Sequence, residues 1–215
     1  MFELRKASVR YEGREVLRDV SVRIEAGERV ALVGRSGAGK STLLKLFYGQ
    51  RPAETALVPQ ELGLVRPLSV FHNIYMGALH RHGTAYNLLN LVRPLQREVT
   101  AVRALVERLE LGAEKLFVPV AQLSGGQQQR TAVARSLHQG ARVLMGDEPV
   151  SAVDKRQSRV VLEAINAAYD TVLLAMHDLP LALAYADRIV ALKAGRIVLD
   201  RPAAGLEVPD LDFLY

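Results

Sequence analysis

The run Gly34-Arg35-Ser36-Gly37-Ala38-Gly39-Lys40-Ser41 sets three glycines, a lysine and a hydroxyl directly behind a short apolar stretch, Arg29 to Val33. Glycines let a backbone turn tightly enough that successive N–H groups point into one hollow, and such a hollow holds an anion. Ser41-Thr42-Leu43-Leu44-Lys45-Leu46-Phe47 then reads as a helix, whose first turn adds unpaired N–H groups and a favourable partial charge. The whole fits G-x-x-x-x-G-K-[ST] in the strand–loop–helix setting that this pattern requires. Lys40 is placed to reach the β- and γ-phosphates of a nucleotide, and the Ser41 hydroxyl to ligate Mg²⁺.

The rest of the chain fits an α/β fold around that loop. Residues 2–11 alternate loosely, turn at Glu12-Gly13 and resume as Val20, Val22, Ile24, an antiparallel half-buried pair of strands. Thr55 to Pro59, Val143 to Met145 and Thr171 to Met176 read as short buried strands, and Arg188 to Asp200 as a hairpin turning at Ala194-Gly195. Helical spacing covers Ser69 to Glu110, punctuated by Pro94, and returns near Gly126 to His138 and over Asp154 to Ala168. Strands alternating with helices predict a mostly parallel sheet. The antiparallel start and the helical middle are additions to it.

Two further clusters carry chemistry. Val143-Leu144-Met145-Gly146-Asp147-Glu148 is an apolar strand ending in two carboxylates. The first can hold Mg²⁺, and the second can polarise an attacking water; without a phosphate loop in the chain such a pair would read as a solvated turn. Leu123-Ser124-Gly125-Gly126-Gln127 opens a helix. It reads either as an N-cap with two permissive glycines or as a second anion-binding device made of a hydroxyl, backbone amides and a helix terminus. One nucleotide needs both devices only if they come from two opposed copies.

Composition bounds the class without deciding it. Hydrophobic residues make up 49% and charged residues 24%, and cysteine is absent, which excludes a disulfide scaffold and thiol catalysis. No apolar run approaches the roughly 18–20 residues of a membrane span; Val172 to Met176 and Leu179 to Ala186 are short and bracketed by His177, Asp178 and Asp187. MFELRKASVR has no signal-peptide core, so a cytoplasmic chain recruited to any membrane by a partner is expected. The net charge of +5 and pI of about 9.6 permit anionic partners, but no basic run marks a nucleic-acid tail. His80-Arg81-His82 reads as a solvated loop and is assigned no metal.

LSGGQQQR at Leu123 to Arg130 resembles the signature of the ATP-binding cassette (ABC) ATPases, and the resemblance runs over essentially the whole chain. Gly34 to Ser41 resembles their Walker A motif, Asp147-Glu148 their Walker B end and Val58-Pro59-Gln60 their Q-loop. Ser151-Ala152-Val153-Asp154 is similar to their D-loop, with Val where Leu is commoner, and Met176-His177-Asp178 to their switch-histidine region. Tyr11 stands where an aromatic ring stacks on adenine; outside that register it would read as strand packing. The stretch Leu64 to Val70, Asn73-Ile74-Tyr75-Met76-Gly77, Leu88-Leu89-Asn90-Leu91 and the run Asp147 to Asp154 resemble the phosphonate-importer ATPases.

The resemblance implies a P-loop NTPase with a RecA-like core, an abbreviated N-terminal antiparallel subdomain and a helical signature subdomain. It implies a single domain over residues 1–215, with the helical part, about 61–138, inserted in the core. ATP would be bound by Tyr11, Gly34, Arg35, Ser36, Gly37, Ala38, Gly39, Lys40, Ser41 and Thr42, and Mg²⁺ by Ser41, Gln60 and Asp147. Two copies would face each other head to tail, so that Ser124, Gly125, Gly126 and Gln127 of one complete the site of the other, with Asp154 in the D-loop. Glu148 would activate water, His177 would stabilise charge on the γ-phosphate, and Gln60 would link the site to a membrane partner. Implied partners are a second, identical nucleotide-binding subunit, a transmembrane permease and a substrate-binding protein, with no nucleic acid, at the inner face of the cell membrane.

One departure stands out. Gln60 follows Lys40 by only 20 residues, where the family usually places a much longer stretch that supplies strands of the antiparallel subdomain. The placement of Gln60 and the stability of the small sheet are therefore the points for the structure to decide. Rival readings are an ABC ATPase of another transporter class, a soluble family member acting on ribosomes or DNA, and a non-catalytic subunit. A small-molecule P-loop kinase would have no use for Leu123 to Gln127.

Overall fold

The computed structural model of the chain describes residues 1–214. They form two compact units: one comprises residues 1–60, 142–149 and those from 169 onward, the other residues 61–141 and 150–168.

The first unit opens with the expected antiparallel pair, β1 (Phe2–Tyr11) and β2 (Arg14–Ile24). A six-stranded sheet follows, built from β3 (Arg29–Val33), β4 (Thr55–Val58), β5 (Val143–Asp147), β6 (Thr171–Ala175), β7 (Arg188–Lys193) and β8 (Arg196–Pro202) in the order β4-β5-β6-β3-β7-β8. All its pairs are parallel except β7–β8. Every residue of β5 and β6 is buried, as expected of parallel strands covered on both faces. Helix α1 (Lys40–Gln50) runs from the end of the glycine loop, and α7 (Leu179–Tyr185) from an Asp178 cap.

The shortened segment is resolved simply. Helix α1 ends at Gln50, a 3₁₀ turn over Pro52–Glu54 redirects the chain, and β4 starts at Thr55. The small sheet is stabilised from below. Phe2, Leu17, Val20, Val22 and Ile24 share one buried cluster with Leu43, Leu44 and Phe47 of α1 and with Val30 and Leu32 of β3. The Phe2 and Phe47 rings meet edge to face, 6.1 Å apart. Gln50 adds a two-sided clamp: its Nε2 donates to the Glu3 carbonyl (2.8 Å), and its Oε1 accepts from the Glu3 N–H (3.3 Å). A side-chain amide thus occupies main-chain groups that a neighbouring strand would otherwise pair.

The second unit is helical: α2 (Val70–Tyr75), α3 (Thr84–Val92), α4 (Gln96–Arg108), α5 (Gly125–Gln139) and α6 (Lys155–Ala168). The helical stretch expected over Ser69 to Glu110 is broken into α2, a 3₁₀ segment Met76–Arg81, α3 and α4. Pro94 lies in the gap between α3 and α4. At Gly77 a Cβ would fall 2.2 Å from the Arg135 carbonyl oxygen, so this backbone lies directly against α5. Val102, Val106 and Leu109 form the buried face of α4 as their spacing predicts, with Leu105 half-buried. The His80–His82 loop departs from its expectation of simple solvation. Arg81 donates to the Gln139 carbonyl (2.7 Å), and half-buried His82 lies against the Tyr86 ring, 3.8 Å from Glu98. No helix among the described residues is long and apolar enough to cross a membrane.

Candidate nucleotide-binding site

The loop 34–39 joins β3 to α1, and Gly39 takes the cap position of the helix with φ 107°. A Cβ there would also stand 2.6 Å from Leu17 Cδ2, so backbone angle and packing both require glycine. The first turn of α1 carries no acidic residue, which leaves its N-terminal amides and partial positive charge for an anionic ligand. Lys40 is 6% exposed, and its Nζ donates to the carbonyls of Gly34 (2.6 Å) and Arg35 (3.2 Å). Burial pushes its pKa down, against the opposing pull of the Glu148 and Asp147 carboxylates.

A cavity of about 190 Å³ opens on this loop, lined by Val16, Ser36, Gly37, Gly39, Lys40, Ser41, Thr42, Gln60 and Glu148. Despite the shortened connection, Gln60 therefore faces the same hollow as Lys40. Asp147 is the last residue of β5, and Glu148 follows with φ 54°, its N–H held by the Ala175 carbonyl (3.0 Å). A left-handed glutamate is an uncommon conformation for a non-glycine residue, and it turns the carboxylate off the strand line toward the cavity. His177, just beyond β6, brings Nδ1 to 3.7 Å from Glu148 Oε2.

Other expected residues stand apart from the lining. Gly34 forms the back of the cradle through its carbonyl, Ala38 is buried in the core, and Arg35 is exposed. Tyr11, 53% exposed, ends β1 beside the Glu12-Gly13 turn and does not line the cavity. Val16 of β2 does line it, and nothing in its alternating strand distinguished it.

In the second unit Ser124 caps α5. Its Oγ accepts from the Gln127 N–H (3.3 Å), and Gln127 Oε1 accepts from the Ser124 N–H (3.0 Å), a complete capping box. The cap reading of this motif is thus realised, yet it does not account for both glycines. A Cβ on Gly126 would meet the Ala152 carbonyl oxygen at 2.8 Å, whereas one on Gly125 would meet nothing nearer than 4.0 Å. Packing within the chain explains the first glycine and leaves the second unexplained. Asp154 caps α6, its Oδ1 accepting from the Gln157 N–H (2.8 Å).

The donor set suits Mg²⁺. Ser41 and Gln60 line one cavity, and the Asp147 carboxylate ends the strand that leads to Glu148. These are few, hard oxygen donors, which is what a cation that keeps its waters and shares phosphate oxygens demands. Among the described residues no cluster of three or more His, Cys, Asp or Glu side chains forms an all-protein cage.

A glycine cradle opening a helix after a central parallel strand, with lysine, hydroxyl and carboxylates around one hollow, defines a P-loop nucleoside triphosphatase. The family model described as ABC transporter matches residues 17–151, and the chain belongs to that family, as an ATP-hydrolysing nucleotide-binding subunit. It is 38% identical over 232 residues to the phosphonates import ATP-binding protein PhnC 1 of Pseudomonas syringae pv. tomato, covering 94% of this chain and 86% of the relative. It is 35% identical to PhnC 3 of Halalkalibacterium halodurans, covering 100% and 94%. With PhnC of Anaeromyxobacter dehalogenans the identity is 36% over 99% of this chain, which spans 47% of that longer relative. The dimeric structure of MJ0796, a bacterial ABC transporter cassette, superposes with a TM-score of 0.80 over 96% of this chain and 100% of the other, at 22% identity.

Proposed function

We propose that the chain hydrolyses MgATP to drive import of a phosphonate or related oxyanion through a separate permease. The observation that carries the catalytic part is the single cavity shared by Lys40, Ser41, Gln60 and Glu148, with His177 against the carboxylate. On nucleotide binding, Lys40 exchanges the Gly34 and Arg35 carbonyls for β- and γ-phosphate oxygens, while the α1 amides and loop 34–39 hold the remainder. Ser41, Gln60 and Asp147 would hold Mg²⁺, which would supply the positive charge that offsets the triphosphate. Glu148 orients a water, accepts its proton as the oxygen bonds to the γ-phosphorus, and the bond to the ADP oxygen breaks to give ADP and phosphate. The proximity of His177 supports its role in holding Glu148 and the outgoing phosphate in register.

A second glycine at 125 that packing within the chain does not require supports a dimer in which Ser124, Gly125, Gly126 and Gln127 of one copy meet the nucleotide of the other. Residues 1–215 then act as one domain, with 61–138 as the helical insertion. Solute passage requires other proteins: a permease, and a substrate-binding protein that selects the cargo. The oxyanion assignment leans on the names of the relatives, which are phosphonate importers. The chain then works at the inner face of the membrane.

Uptake by cells carrying the chain and its permease tests the whole reading. Phosphonate uptake should be saturable and should vanish in Glu148→Gln, whose ATP binding persists. Uptake unaffected by that change would remove the chain from the transport cycle, and uptake of another solute class alone would overturn the oxyanion assignment.

A further inference from the structure

We infer that Gln129 is a positioning residue that fastens the first turns of α5 to the loop Ser151–Asp154, so that the two segments shift together when two copies close on nucleotide. This inference rests on the dimer reading above. Gln129 is 3% exposed, and both ends of its amide are used: Nε2 donates to Ser151 Oγ (3.2 Å), and Oε1 accepts from the Ala152 N–H (2.7 Å). One turn earlier, Gly126 lies so close to the same loop that a Cβ would stand 2.8 Å from Ala152 O and 3.2 Å from Val153 Cγ1. A buried amide satisfied at both ends, beside a backbone contact that excludes any side chain, makes a joint with little freedom.

The three consecutive glutamines divide their work. Gln127 closes the capping box on Ser124, and Gln128 donates to the Leu123 carbonyl (3.0 Å), both within the start of α5. Gln129 reaches a different segment. The same joint is reinforced behind it: buried Arg130 donates to the carbonyls of Leu109 (2.9 Å) and Glu110 (2.6 Å), and the Glu110 carboxylate pairs with Arg156 at the start of α6. Ser151 follows Glu148 by three residues along the chain. A signature turn drawn toward the other copy's nucleotide therefore carries the Ser151–Asp154 loop with it.

The test uses the full chain in the Glu148→Gln background, reading MgADP affinity for the Lys40 cradle alone and the MgATP-dependent dimer dissociation constant for closure. Gln129→Leu should leave MgADP affinity within about twofold while weakening the dimer about tenfold, a coupling of ordinary allosteric size. Gln129→Glu keeps the acceptor for Ala152 and loses the donor to Ser151, so it should fall between, which guards against a merely misfolded leucine variant. Ser151→Ala should weaken the parent dimer but add nothing further in Gln129→Leu, because both changes break one joint. A Gln129→Leu dimer within about twofold of the parent, equal losses in MgADP and dimer affinity, or additive effects of Gln129→Leu and Ser151→Ala would each overturn the inference. A parent that stays monomeric in MgATP overturns the dimer reading, and the joint's role with it.

Discussion

His177 Nδ1 sits 3.7 Å from Glu148 Oε2, each side chain projecting from the end of a neighbouring parallel strand, β6 or β5. The left-handed backbone of Glu148 and its N–H bond to the Ala175 carbonyl set the main chain from which the carboxylate projects. Glu148→Gln keeps that shape and removes the proposed proton acceptor. Steady-state ATPase should fall by about 10²–10⁴-fold with MgATP affinity within about twofold of wild type. His177→Ala leaves the acceptor in place and should cost less. Equal hydrolysis by Glu148→Gln and wild type would remove Glu148 from the chemistry.

Gly125 and Gly126 separate fold from function. Alanine at 126 collides with the Ala152 carbonyl, so Gly126→Ala should destabilise the isolated chain by about 1–3 kcal/mol and lose activity for that reason. Alanine at 125 meets only an ordinary contact, Ala152 Cβ at 4.0 Å. Gly125→Ala should leave urea unfolding within about 0.5 kcal/mol of wild type yet lower ATPase at least about tenfold, because in the proposed dimer the added methyl would stand where the other copy's nucleotide approaches. Full activity in Gly125→Ala would reduce the motif to its helix cap.

What could be read from sequence was chemistry carried by neighbours in the chain. Lys40-Ser41, Asp147-Glu148 and Ser124 to Gln127 each declare a local device, because loop, strand end and helix cap are built from consecutive residues. The six-stranded sheet followed from short apolar runs interleaved with helical stretches, and its strands appear where those runs lie. What could not be read depends on distant contacts. Val16 joins the cavity only because β2 passes Gly39 and Lys40, and Gln129 differs from Gln127 and Gln128 only by the direction its side chain takes from the helix. The close approach of Gly77 to the Arg135 backbone is likewise a contact between residues far apart in the chain.

The shortened link from Lys40 to Gln60 is compensated by Phe47 and Gln50, and each contribution can be weighed. Phe47 is fully buried against Phe2, so Phe47→Ala should cost about 3–5 kcal/mol in urea unfolding. Gln50→Ala removes two bonds to an exposed backbone and should cost only about 1 kcal/mol. It should, however, speed amide exchange at Glu3 well beyond the global change. Unchanged exchange at Glu3 would show that the clamp does not hold the edge of β1.

His138 should set the acid limit of the fold. It lies in α5, 8% exposed, with Nε2 buried and unpaired among the described residues and its ring 6.5 Å from that of Tyr75. Burial pushes its pKa below the ordinary histidine value, and the charges of Arg81 and His82 push the same way, against the opposing pull of Glu98. In the unfolded chain the group returns to about 6.5. Between that value and the lower folded one, the unfolded state binds more protons, so stability falls as pH drops through this window and is unaffected by this group above it. His138→Leu removes the difference. Wild type should lose melting temperature as pH falls below about 6.5, and His138→Leu should lose less over the same range. Parallel curves would place the acid sensitivity elsewhere.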